Sequence, residues 1–132
     1  MKQPTTCRLC GSEADPLCSA LNQEYLHCET CDFVFVTESD LLDSATEKER
    51  YDTHNNDVTD PRYRKFLEPL VKFGLTHLTD HQTKALDYGC GPGPLLSKIA
   101  EEHGLSCANY DPYYANDKTT LAEQYDAIFV SE

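Results

Sequence analysis

A chain of 132 residues holds one ordinary domain, or a small module with part of a larger one. Its 23 acidic residues against 11 basic ones, a formal charge of -12, exclude the basic patch that nucleic acid needs and disfavour an anionic membrane surface. No apolar run nears the roughly 18 residues of a membrane span, and the N-terminus Met1-Lys2-Gln3-Pro4-Thr5-Thr6 lacks the apolar core of a signal peptide, so a cytoplasmic protein with reduced thiols is expected.

Residues 1–38 hold five of the seven cysteines and end in Phe33-Val34-Phe35-Val36, a strand-like run. Cys7-Arg8-Leu9-Cys10 and Cys28-Glu29-Thr30-Cys31 are two Cys-x-x-Cys pairs with 17 residues between Cys10 and Cys28. Zinc takes four tetrahedral ligands, and two tight turns each present two thiolates, so Cys7, Cys10, Cys28 and Cys31 are expected to hold a structural Zn2+ in a zinc-ribbon-like segment. Gly11 suits the positive φ that often follows such a turn, and Asp32 takes the equivalent place in the second. The segment has too few apolar residues to fold on burial alone. A redox dithiol or coincidental spacing is the alternative. Cys18 and His27 are alternative ligands for the set, though a free thiol in a connecting turn and a surface histidine are their plainer readings.

Residues 39–82 form a polar helical linker or cap. Asp40 or Ser44 is expected to cap a helix running from Ala45 to Tyr51, which His54-Asn55-Asn56-Asp57 ends. Asp60-Pro61 starts a second helix, with a capping side chain and proline at the first helical position. Phe66, Leu67, Leu70, Val71 and Leu78 give it an apolar stripe, and Pro69 predicts a kink or break.

Residues 83–132 alternate strand and helix. Ala85 to Tyr88 reads as a buried strand, Pro94 to His103 as a helix with Leu95, Leu96, Ile99 and Ala100 on one face, and Gly104 as its stop. Ser106–Tyr110 and Tyr125–Val130 read as further strands, and strand-helix-strand order predicts parallel pairing.

Between the first strand and its helix lies Asp87-Tyr88-Gly89-Cys90-Gly91-Pro92-Gly93. Glycines there let the backbone turn sharply and approach a ligand. The nicotinamide fingerprint Gly-x-Gly-x-x-Gly would need glycine where Pro94 stands; here the glycines are at 89, 91 and 93. Asp111 stands 18 residues after Gly93 at a strand end, where a carboxylate can accept ribose hydroxyls. The plainer readings are a buried turn acceptor for Asp87 and a strand terminator before Pro112 for Asp111.

This segment resembles motif I of the class I S-adenosylmethionine-dependent methyltransferases, and the layout is similar to a group of small bacterial members with an N-terminal zinc ribbon. The resemblance spans Tyr51, His54 and Asn56 (Tyr-x-x-His-x-Asn), the helix Tyr63-Arg64-Lys65-Phe66-Leu67, and the loop itself. It implies an α/β, Rossmann-like sheet preceded by the ribbon and linker. It implies S-adenosylmethionine as cofactor, bound through Asp87, Gly89, Cys90, Gly91, Gly93 and Asp111. It also suggests that Tyr51 and His54 lie near the cofactor's methionine end or the substrate. Helix capping is the plainer alternative for His54, and sheet packing is expected of Tyr113 and Tyr114, with flanking of the adenine as their alternative role. No catalytic side chain is assigned. The expected activity is methyl transfer to a small-molecule acceptor. Against the resemblance the chain holds only the first strands of the sheet, the cofactor-binding half. Weak or absent activity alone and self-association through the exposed edge of the last strand are therefore expected. The competing expectation is a zinc-stabilised protein-binding module with a remnant half-sheet.

Overall fold

The structure, a computed structural model, describes residues 5–54 and 57–131. It divides into two compact units, Met1–Glu47 and Lys48–Glu132.

The first unit is an antiparallel sheet in the order β1-β2-β3-β4: β1 Thr5–Thr6, β2 Glu13–Ala20, β3 Gln23–His27 and β4 Val34–Val36. The sequence reading captured only β4. β2 and β3 form a hairpin whose two turn residues, Leu21 and Asn22, both have positive φ (53° and 61°), as a primed turn requires. Cys18 lies on β2 opposite Tyr25, not in a connecting turn. Pro16 cannot donate to the ladder, and the pairing shifts register between Pro16 and Cys18. Leu26 on β3 faces Phe35 on β4, and both are buried with Ala14, Cys7 and Cys28.

α1 runs Ser44–Asp52. Its cap is neither Asp40 nor Ser44. Asp43 Oδ1 accepts the N–H groups of Ala45 and Thr46 at 3.0 and 3.1 Å. Asp40 is engaged elsewhere, accepting the Glu24 N–H at 2.7 Å.

The second unit carries α2 Pro61–Leu75, β5 Lys84–Tyr88, α3 Leu95–Glu102, β6 Ser106–Tyr110 and β7 Ala127–Phe129. The strands form a parallel sheet in the order β6-β5-β7, with Ala85 level with Cys107 and Ala127. Asp60 caps α2 by accepting the Arg62 N–H at 2.8 Å. α2 runs unbroken through Pro69. That proline is exposed, so the carbonyl it leaves unbonded one turn back, on Lys65, sits on a wet face. Leu67 and Val71 are fully buried against Leu96, Ile99 and Ala100 of α3 and Ala85, Cys107 and Phe129 of the sheet. Phe66, expected in the stripe, is exposed: the buried line is Tyr63, Leu67, Leu70 and Val71, and Phe66 lies off it. Gly104 ends α3 with φ 87°. No helix among the described residues is long and apolar enough to cross a membrane.

α2 also makes a close approach to β7. A Cβ built on Gly74 would lie 2.6 Å from Cε1 of Phe129, whose ring is buried. Gly74→Ala is therefore expected to destabilise the chain by about 1–2 kcal/mol, the clash outweighing a helix-propensity gain of about 1 kcal/mol. Urea unfolding measures this. A stabilised variant would show that the ring yields freely.

Candidate metal centre and glycine-loop site

The two Cys-x-x-Cys turns are built alike. Cys7 O accepts the Gly11 N–H at 2.9 Å, and Cys7 N–H donates to Ser12 O at 2.7 Å. In the second turn Cys28 O accepts the Asp32 N–H at 2.8 Å, and Cys28 N–H donates to Phe33 O at 3.0 Å. Gly11 and Asp32 hold positive φ (77° and 58°), the conformation that closes each turn. The Sγ atoms of Cys7, Cys10, Cys28 and Cys31 lie within 4.8 Å of one another. Cys7 and Cys31 are 3.7 Å apart and Cys10 and Cys28 3.5 Å. The edge of a tetrahedron with metal–sulfur bonds of about 2.3 Å is about 3.8 Å, so the four thiols fit a metal such as zinc. Four protein ligands leave no open position, which makes such a site structural.

The hydroxyl and amide of Ser12 donate to the Cys10 sulfur, and Cys31 adds to them, drawing that thiol down to about 6, while burial and the neighbouring thiols push Cys31 up to about 12. His27 Nε2 lies 3.2 Å from Asp32 Oδ1, and neither His27 nor Cys18 is in the four-sulfur cluster. Native mass spectrometry is expected to find one zinc per chain, and Cys28→Ser or acidification is expected to release it, since the ligands must be deprotonated. Full zinc occupancy in Cys28→Ser would overturn the assignment.

The second site lies at the carboxyl ends of β5 and β6. Gly89 and Gly91 have φ of 79° and 66°, so this loop needs glycine at both. Gly89 and Cys90 donate their N–H groups to Tyr110 O at 2.8 and 3.1 Å, bending the loop over the end of β6. Gly93 is buried, and its carbonyl accepts from Leu95 N–H at 2.7 Å and from the Tyr63 hydroxyl at 3.4 Å. The role of Tyr63 was not legible locally, because its partner lies 30 residues away.

Asp111 is buried, and its carboxylate faces the loop. Oδ2 accepts the Gly91 N–H at 3.0 Å, and Oδ1 accepts those of Tyr113 and Tyr114 at 2.8 and 3.2 Å. A carboxylate offers about four acceptor positions, and donors among the described residues fill three of them.

Asp87, on β5, is 2% exposed, and its Oδ1 has no hydrogen-bond partner among the described residues. The same holds for Oδ1 of Asn109, its neighbour in register on β6. Burial first, and the negative charge of Asp111 second, raise the Asp87 carboxyl to about 6. The thiol of Cys90 is pushed up to about 11, chiefly by burial, so it stays protonated.

Tyr51 lies in the last turn of α1, and His54 just after it. Their rings meet edge-on at 5.9 Å, and the Tyr51 ring lies 6.4 Å from that of Tyr113, directly after the Asp111-Pro112 step. Asn56, the third residue of that stretch, lies outside the described residues. The rings of Tyr113 and Tyr114, expected to pack on the sheet, meet Tyr51 and Lys48 respectively.

Comparison with protein-family models, curated protein sequences and solved structures returns no match.

An acid raised by burial penalises the folded state where it is charged: not at all below its ordinary value of 3.8, and fully above about 6. Asp87→Asn is therefore expected to stabilise the chain at pH 7.5 by about 2–3 kcal/mol, a gain that fades as pH falls from about 6 and is gone at about pH 3.5. Urea unfolding at the two pH values checks the sign. A gain of equal size at both would remove the carboxyl's charge as its cause.

Proposed function

We propose that the second unit binds S-adenosylmethionine at the carboxyl ends of β5 and β6, as part of a class I methyltransferase acting on a small-molecule acceptor. The observation that carries this reading is the 3.0 Å hydrogen bond from Gly91 N–H to the Asp111 carboxylate, which joins the loop after one parallel strand to the acid ending the next. Ligands of open parallel sheets bind outside the carboxyl ends of the strands, where the strand order reverses. The order β6-β5-β7 places such a reversal at β5, whose end carries the loop.

Gly89 and Gly91, bare of side chains, would let the cofactor lie against the backbone. Asp111 would accept one ribose hydroxyl through its remaining position. Asp87 Oδ1, buried and unpartnered, is an acceptor waiting for a donor. Bound S-adenosylmethionine supplies an already activated methyl group, so that step needs no metal, and the four-cysteine site keeps a structural role. Cys90, held as the neutral thiol, does not compete as methyl acceptor.

A second reading has its own observation. In the first unit Leu9, Leu17 and Leu21 are exposed; Leu21 is 88% exposed at a hairpin tip with φ 53°, a costly place for leucine. That favours a protein-contact role for the four-cysteine unit, and the two readings are compatible.

Calorimetric titration with S-adenosylmethionine and S-adenosylhomocysteine is expected to show saturable one-to-one binding. Asp111→Ala should weaken it about 10- to 100-fold, the worth of hydrogen bonds to a charged group. Absence of binding to the parent chain overturns the proposal, and binding of a nicotinamide dinucleotide instead would redirect it.

A further inference from the structure

Residues 48–54 are joined to the glycine-loop site by a continuous set of polar contacts. Lys48 Nζ lies 2.8 Å from Asp52 Oδ2 and 5.2 Å above the ring of Tyr114, and the Tyr114 hydroxyl donates to Asp52 Oδ1. The Tyr114 N–H reaches Asp111 Oδ1 at 3.2 Å, and the other Asp111 oxygen holds Gly91. The path therefore runs from Lys48 and Asp52 through one tyrosine to the carboxylate that orients the loop.

We propose that Lys48 and Asp52 are positioning residues for the cofactor site: through Tyr114 they latch the end of α1, with Tyr51, against the Asp111–Tyr114 turn, so that latching and cofactor binding strengthen each other. The proposal rests on the S-adenosylmethionine reading above.

Three features point to a latch and not to ordinary helix packing. α1 buries no residue, and the Tyr51 ring that it sets against Tyr113 is itself exposed. Asp52 is the last residue of α1, at the negative end of the helix dipole, and its i,i+4 partner Lys48 precedes it, the poorer order for such a pair. Local helix energetics disfavour an acid there, and the Tyr114 hydroxyl accounts for it. The Lys48 and Asp52 side chains are also 44% and 47% exposed, so each contact is individually weak and a cover built from them opens readily. Asp52 in turn raises the Tyr114 phenol to about 12, which keeps it a donor throughout the neutral range.

The test uses the full zinc-loaded chain, with S-adenosylhomocysteine as probe. In the parent, saturating probe is expected to slow amide hydrogen exchange of residues 48–54. Asp52→Asn and Tyr114→Phe should each weaken binding about 3- to 30-fold through faster dissociation, with association little changed. The double variant should lose no more than the worse single one, because both cut the same contact. Tyr114→Phe keeps the ring under Lys48, so it remains informative if Asp52→Asn folds poorly. Variants that bind as the parent does overturn the latch and leave the cofactor reading standing, as does a loss of exchange protection without loss of affinity. A parent that does not bind the probe overturns both.

Discussion

The Asp111 carboxylate accepts three backbone N–H groups, from Gly91, Tyr113 and Tyr114, and much of the second unit's polar architecture depends on it. A buried carboxylate is tolerable only when donors replace the water it has lost. Here those donors are peptide groups of two separate turns, so the charge that must be satisfied is also what ties the turns together. One oxygen fixes the glycine loop after β5, and the other closes the turn that leads from β6 to the tyrosines.

Asp87 shows the opposite solution nearby. It is as buried as Asp111, yet one of its oxygens has no partner among the described residues, and its carboxyl rises to about 6. A sequence selected for stability alone would not leave this acid beside an equally unsatisfied Asn109 oxygen. Asp52 at the wrong end of its helix and Leu21 in left-handed backbone break local rules in the same way. Asp87 and Asp52 border the proposed cofactor site, and Leu21 lies in the four-cysteine unit.

The two units rest on different physics. In the first, two of the five residues of the buried cluster are cysteines, so the centre of the unit is the would-be metal site. In the second, Leu67, Val71, Leu96 and Ile99 fill an apolar core between helices and sheet, and the polar site lies at one end of that sheet. The core holds β5 and β6 in register, and register places Gly91 within reach of Asp111.

What the sequence determined by itself is what short-range spacing controls. Two Cys-x-x-Cys pairs need only local turns, and Gly11 and Asp32 mark where those turns close. Ser106–Tyr110, the buried face of α3, its stop at Gly104 and the parallel pairing were legible for the same reason. The β2–β3 hairpin was not: Leu21-Asn22 lacks the glycine that announces such a turn, and Asp15-Pro16 interrupts the alternation. The α1 cap at Asp43 is local, accepting N–H groups two and three residues on, whereas tertiary structure draws Asp40 to the Glu24 N–H. Tertiary structure alone turned Phe66 outward and carried α2 through Pro69 on an exposed face. It alone joined Asp52 to Tyr114 across 62 residues. Spacing along the chain reports which groups can share a turn. Which groups share a charge depends on how the sheet and helices bring distant turns together.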